Sequence, residues 1–177
     1  MPTGARLART SDADAIADVQ QRAWRIQFAG LLPAHVLAAL DVRALADEWG
    51  ASIVRPPTPQ HRVLVAIDAD SGAGDSVVGY AAVGPDESLA GGAELLDIVI
   101  DPSATRRGHG SRLMQAAVDH LRAAGFDTVR IWIPVGDAPR RAFLESAGWG
   151  PDGAFRDLDA DGAILRQVRL VTDIGGA

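Results

Sequence analysis

The chain has 177 residues, of which 47% are hydrophobic, and it carries a formal net charge of −6 with no cysteine. That length fits one domain, spanning 1–177, whose core needs no disulfide or metal staple. The absent thiols exclude a cysteine nucleophile and thiolate metal sites, and the acidic balance argues against nucleic acid as a general partner.

The amino-terminal residues lack the continuous apolar stretch of a secretory signal, and no segment reaches membrane-spanning length. A cytoplasmic address with no membrane partner is therefore expected. Arg6 to Thr10 reads as a first strand, ended where Ser11 or Asp12 can cap the helix that follows. In that helix Ile16, Val19, Ala23 and Trp24 recur at helical spacing. After Gly30 and Pro33 a second helical stretch carries Val36, Leu37, Leu40, Leu45 and Trp49, interrupted near Asp41 and stopped by Pro56-Pro57-Thr58-Pro59. Two β-rich runs, Val63–Ile67 and Val77–Val83, read as an antiparallel hairpin with a loose loop at 69–76. A strand over Glu94–Ile100 closes at Asp101-Pro102.

Leu113, Met114, Ala117, Val118 and Leu121 then mark one face of a helix that Gly125 ends. Thr128 to Ile133 is a further strand, 138–147 a short helix stopped by Gly148, and 149–157 with 163–171 two last strands around an Asp-Ala-Asp-Gly turn. The pattern predicts an α/β chain: a mixed sheet with helices on its faces. Strand, helix and strand over 94–133 form the one unit that reads as a parallel crossover.

The chemically informative stretch is Asp101-Pro-Ser-Ala-Thr-Arg-Arg-Gly-His-Gly-Ser-Arg-Leu-Met114. A buried-type strand ends there, a glycine-bearing turn follows, and an amphipathic helix begins. Free backbone N–H groups and the helix dipole make such a junction an anion site. Gly108 and Gly110 let a pyrophosphate reach the backbone, and Arg106 and Arg107 add charge at the rim. A dinucleotide fingerprint would need a third glycine where Leu113 stands, and a Walker-type loop would need a lysine, which the chain lacks. His35, His61, His109 and His120 show no metal-ligand spacing, so no metal is expected. They read as scattered surface or satisfied residues, His109 as a surface residue of the turn.

Thr105-Arg-Arg-Gly108-His-Gly110 resembles the Gln/Arg-x-x-Gly-x-Gly/Ala signature of the GNAT superfamily of acyl-CoA-dependent N-acetyltransferases. Asp137-Ala-Pro-Arg-Arg-Ala142-Phe143-Leu144-Glu-Ser-Ala-Gly148-Trp149 resembles the family's downstream pattern, and Ala23-Trp24-Arg25 with Phe28–Pro33 its first-helix region. The resemblance implies one GNAT-like domain, a mixed, mostly antiparallel sheet of about seven strands flanked by about four helices. It implies acetyl-CoA as co-substrate, with its diphosphate on the backbone of Arg106, Arg107, Gly108, His109, Gly110 and Ser111. It also implies a pantetheine arm lying along Ile98, Val99 and Ile100, near Asp137, with an N–H near Ile98 polarising the thioester carbonyl.

Two positions depart from the family pattern. Thr105 replaces the usual Gln/Arg, and Leu144 stands where many members carry the tyrosine that protonates the leaving thiolate. Glu94 occupies the position of the glutamate base in some members and is the candidate catalytic residue, against a reading as a solvated strand-end residue. Strand alternation turns Asp97 to the opposite face from Glu94. Tyr80 reads as core, with a stand-in thiolate acid as the alternative; Trp24 reads as core, though the resemblance implies that the first-helix region lines the acceptor site; Trp132 and Trp149 read as core or acceptor-pocket wall. The expected function is transfer of acetyl to a primary amine, on a small molecule or peptide, by direct attack in a ternary complex. The alternative is an acyl-CoA-binding regulatory or sensor module with little catalytic activity. A homodimer, common in the family, is compatible with an exposed edge near the late strands.

Overall fold

Runs rich in Val, Ile, Leu and Ala form the strands, and apolar residues at helical spacing form the helices that cover them. The computed structural model describes residues 4–69 and 75–176. Among these the strands are β1 (Gly4–Leu7), β2 (Arg62–Asp68), β3 (Ser76–Pro85), β4 (Gly92–Ile100), β5 (Thr128–Pro134), β6 (Gly150–Ala160) and β7 (Ala163–Asp173). The helices are α1 (Ala13–Gln27), α2 (Ala34–Ala38), α3 (Val42–Val54), α4 (His109–Ala123) and α5 (Ala138–Ser146). One sheet joins all seven strands in the order β1-β2-β3-β4-β5-β7-β6, and every pairing is antiparallel except β4 with β5. The expected parallel crossover is thus β4-α4-β5.

Two local readings change. The second helical stretch is two helices, because Asp41 accepts from the N–H groups of Arg43 (2.8 Å) and Ala44 (3.3 Å) and starts α3 afresh. The described residues therefore hold five α-helices rather than about four. The first strand ends at Leu7, and Thr10–Asp12 form a 3-10 turn instead of strand and cap. Asp12 does not cap α1 through its side chain; its carboxylate accepts from the Arg9 N–H at 2.6 Å and from the Arg6 guanidinium at 2.7 Å. Of the loose hairpin loop, residues 70–74 lie outside the described residues.

The sheet has two unlike faces. On one, Leu64, Ala81, Val83, Leu95 and Ile98 pack with Leu113, Met114, Ala117 and Leu121 of α4 and Leu144 of α5. That core continues under β5 and β7 through Val129, Ile131, Ile133, Val168 and Leu170. On the other face Ile16, Val19 and Ala23 of α1, with Trp49 and Ile53 of α3, cover Val65, Ile67, Tyr80 and Val99. The helices of that second layer stop at β4. Opposite the buried residues of β5 and β7, the side chains of Arg130, Trp132, Gln167 and Arg169 stand on a face that no helix core among the described residues covers.

β4 and β5 pair only over Gly92–Glu94 with Thr128–Arg130. Just past the last pair β4 bulges: Ala82 faces Asp97 and Val83 faces Leu95, so Leu96 opposes nothing. A bulge sharpens the bend of its strand, and from this point to Ile100 β4 diverges from β5. The opening is a cleft between Ile98–Ile100, α1 and α5.

Candidate active site

The cleft has a volume of about 660 Å³ and is lined by Ile98, Val99 and Ile100 on β4, Ala23, Ile26 and Gln27 on α1, and Asp137, Arg140 and Phe143 on α5. Thr105, Arg106 and Gly110 close its outer end. Since β5 has moved away, main-chain groups on this side of β4 lack a neighbouring strand. Unpaired strand edges are templates for an extended partner.

At the outer end the backbone turns through two left-handed residues, Arg106 (φ 63°) and Gly108 (φ 82°), before α4 begins at His109. Arg112 N–H makes the first helical bond, to the Gly108 carbonyl at 3.2 Å. The amides of His109, Gly110 and Ser111 precede it and have no intrahelical partner by geometry, which leaves a positive helix end at the cleft. A Cβ at Gly110 would already be in van der Waals contact with the Phe143 ring, at 3.4 Å. Asp101, buried at the end of β4, fixes where the turn starts: it accepts from the Ser103 N–H (2.9 Å), the Ser103 hydroxyl (2.7 Å) and Arg22 Nε of α1 (3.0 Å). Burial opposes the charge on Asp101, but these donors outweigh it and its pKa is lowered.

His109 is not the surface residue expected from a turn. Its side chain is 1% exposed, beneath the turn, with Nε2 3.8 Å from Asp68. Neither ring nitrogen has a hydrogen-bond partner among the described residues. Burial lowers its pKa, against the nearby Asp68 carboxylate and with help from Arg107 and Arg112. Only the main chain of His109 remains available at the turn. Arg107 is also engaged, reaching the same Asp68 at 2.8 Å, so the rim charge falls chiefly to exposed Arg106.

At the inner end a polar cluster spans the opening. Arg140 of α5 donates to Asp97 (3.0 Å) and to Gln27 (2.7 Å), and its Nε lies 3.3 Å from Asp137. Gln27 donates to Asp137 at 2.9 Å, while Asp137 also caps α5 through the Arg140 N–H. Asp97 accepts from the Tyr80 hydroxyl at 3.0 Å and from the Ile98 N–H at 2.9 Å. The amide expected to polarise a carbonyl is thus engaged by the side chain of the residue before it. Tyr80 is fully buried, as a core residue should be, and burial together with the Asp97 charge raises its pKa well above 10.0. The Trp24 indole N–H approaches the Tyr80 hydroxyl without reaching hydrogen-bonding geometry.

The alternation argument for Asp97 fails at the bulge. Leu96 adds one residue, which restores the phase: Leu95 and Ile98 both face the α4 core, and Asp97 reaches Tyr80 on the α1 face. Glu94, on the other side of Leu95 from that extra residue, shares this face with Asp97. Glu94 is partly buried, and its pKa is raised by burial above all, lowered by Arg156 and raised again by Asp86. It sits opposite Arg130 across the last β4–β5 pair, at the border of the uncovered face. There Arg156 and Arg169 stack on Trp132 at 4.5 and 5.3 Å, and Arg156 donates to Gln167 at 2.6 Å. Trp149, by contrast, is core at 4% exposure.

Leu144 is fully buried against α4 and the late strands, and its neighbour Phe143 faces the cleft. Sequence reasoning missed Arg140 and Gln27, whose roles need α1 and α5 side by side. It also missed Asp97, whose direction needs the bulge. Arg140 did carry a signal: it lies one turn into a helix that Asp137 caps.

The pattern of the acetyltransferase (GNAT) family matches residues 32–149. Mycothiol acetyltransferase of Mycolicibacterium gilvum (strain PYR-GCK) is 36% identical over 113 residues, 64% of this chain and 32% of that protein. The mycothiol acetyltransferase of Clavibacter michiganensis subsp. michiganensis (strain NCPPB 382) is 37% identical over 71 residues, 40% of this chain and 21% of its own length. The chain therefore spans a third or less of these relatives. The fold matches PaiA N-acetyltransferase of Thermoplasma acidophilum, solved with coenzyme A, at a TM-score of 0.70 with 18% identity, covering 98% of this chain and 99% of that one. It also matches the ribosomal-protein-alanine N-acetyltransferase of Brucella melitensis at 0.70 with 21% identity, covering 96% and 98%.

Proposed function

The chain belongs to the GNAT acetyltransferase family, and on that premise we propose that it transfers an acetyl group from acetyl-CoA to a primary amine by direct attack in a ternary complex. The observation that carries this reading is the parting of β4 from β5 beside the exposed N-terminus of α4. An extended pantetheine arm replaces the missing strand along Ile98, Val99 and Ile100, next to Asp137. The diphosphate lies on the backbone from Arg106 through Arg107, Gly108, His109 and Gly110 to Ser111, where unpartnered amides and the helix dipole favour negative charge.

The amine nitrogen bonds the thioester carbon, negative charge builds on the carbonyl oxygen, and the Ile98 N–H stabilises it once Asp97 releases that amide. The C–S bond then breaks. Glu94 takes the proton that the amine gives up, directly or through water, and its raised pKa makes it a stronger base than an ordinary carboxylate. Water protonates the thiolate, because Leu144 has no proton to give and is enclosed in the core. The mycothiol in the names of the two relatives is not carried over to the acceptor, since the chain spans so little of them.

Calorimetry with acetyl-CoA, CoA and ATP, followed by thiol release with an amine panel, tests the reading. Selective acetyl-CoA binding with thiol release is expected; no preference over ATP would overturn it. Glu94→Gln should lower kcat by roughly 10²–10⁴-fold, the range of general base catalysis, with cofactor affinity little changed. In the parent, kcat should fall on acidification as Glu94 takes up a proton. Equal rates for the two proteins across about pH 6–9, where an alkylamine is still mostly protonated and needs a base, would remove Glu94 as the base.

A further inference from the structure

Asp97 lines a second pocket, of about 350 Å³, whereas its partners Ile98 and Arg140 line the cofactor cleft. Asp97 therefore stands between the two cavities, lining one and hydrogen-bonded to residues that line the other. Trp24 and Trp49 form the walls of the second pocket, and Leu96, the extra residue of the bulge, borders it beside Asp97. The Trp49 ring is held in place: its indole N–H donates to Gln20 at 2.7 Å, and it packs edge-to-face with Tyr80 at a centroid distance of 4.9 Å.

Charge decides what can sit at the inner end. Two carboxylates, Asp97 and Asp137, share the single guanidinium of Arg140, which leaves the group one negative charge in excess. An ammonium beside Asp97 balances that excess, and the neighbouring indoles favour a cation near their faces. The outer part is different. Asp97 is the one carboxylate among the described residues that line this pocket, so a second ammonium farther along the acceptor finds no partner. The volume lies at the small end of small-ligand sites, about 300–1,000 Å³, enough for one ring and a short chain.

We propose that this pocket is the acceptor site and that it takes a small primary monoamine with a planar apolar body, of the arylalkylamine class, with its nitrogen at Asp97 and its ring between Trp24 and Trp49. The proposal rests on the acetyltransferase reading above. It places the nitrogen next to the Ile98 amide at which the thioester carbonyl would be held. The occupant displaces Asp97 from that amide by offering the carboxylate a better partner, so arrival of the amine and release of the Ile98 N–H become one event. Asp97 acts here as a positioning residue for the amine and for that N–H.

The test is initial-rate thiol release from acetyl-CoA with 2-phenylethylamine, ethylamine, spermidine and kanamycin. The kcat/KM for 2-phenylethylamine should exceed the others by about tenfold or more, the scale on which an apolar pocket discriminates. Leu96 is 48% exposed, so Leu96→Trp can fill the pocket without disturbing the core. It should raise the KM for 2-phenylethylamine about tenfold and shift that for acetyl-CoA by less than about twofold. Asp97→Asn should raise the amine KM and lower kcat together. Faster turnover of spermidine or kanamycin, or an unchanged amine KM in Leu96→Trp, would overturn the acceptor assignment while leaving the transferase intact. Acetyl-CoA binding without thiol release from any of the four would overturn the acceptor assignment, and no selective binding of acetyl-CoA would take the transferase reading down with it.

Discussion

On the reading proposed above, the main-chain groups that would hold acetyl-CoA come from one continuous stretch, Ile98 to Ser111. The proposed acceptor side gathers Gln20 and Trp24 from α1, Trp49 from α3, Ala82 and Val83 from β3 and Asp97 from β4, and its work falls to side chains. Amides come with any sequence that keeps the backbone path, so the first side constrains residues only where that path is tight or left-handed. Side chains gathered from four elements can be exchanged one at a time, so the second side can change its ligand while the fold stays the same. The difference accounts for Thr105: replacing a long side chain at the turn removes rim contacts but no amide.

The largest expected break in this comparison is Gly110→Leu. With Phe143 already 3.4 Å from a Cβ at that position, the added side chain must enter the cleft or push the ring. Acetyl-CoA affinity should fall at least about 100-fold, or about 2.7 kcal/mol, in a protein whose circular dichroism is unchanged. Wild-type affinity by calorimetry would refute the backbone cradle.

Asp101→Asn comes next. It removes the charge that holds Arg22 and Ser103, and should cost about 1–3 kcal/mol in urea denaturation, the range for leaving buried partners unsatisfied. It should also raise the KM for acetyl-CoA, because the start of the turn loses its anchor to α1. A loss of stability with no change in that KM would mean that the anchor serves the fold alone.

The smallest effect is a pH slope. Burial keeps the His109 imidazole neutral and sets its folded pKa below the ordinary 6.5. Between those two values the unfolded chain binds more protons than the folded one, so stability falls as pH falls below 6.5 and stops falling once the folded form protonates. Urea midpoints for His109→Asn should change less between pH 7 and 5.5 than those of the parent. His120, whose pKa burial also lowers, should account for part of the slope that remains, and His120→Asn measures that part.

The sequence by itself determined most of the elements and the glycine turn between β4 and α4. Strand, helix and turn signals are local: apolar spacing along α4, Asp101-Pro102 closing β4 and glycine at 108 and 110 all act within a few residues of the backbone they shape. The parallel β4-α4-β5 unit followed, because two strands joined through a helix have little other choice. Asp41 restarting a helix was visible as an interruption, though not as a cap. The tertiary structure alone decided the rest. Whether Asp97 shares a face with Glu94 depends on one unpaired residue, Leu96, and a bulge exists only through its partner strand. Arg140 meets Asp97 and Gln27 across 43 and 113 residues of chain. His109 lies beneath its own turn because Asp68, 41 positions earlier in the chain, ends the strand next to it. Backbone conformation is set by neighbours in sequence, whereas the partner and the burial of a side chain are set by whatever the completed sheet brings beside it.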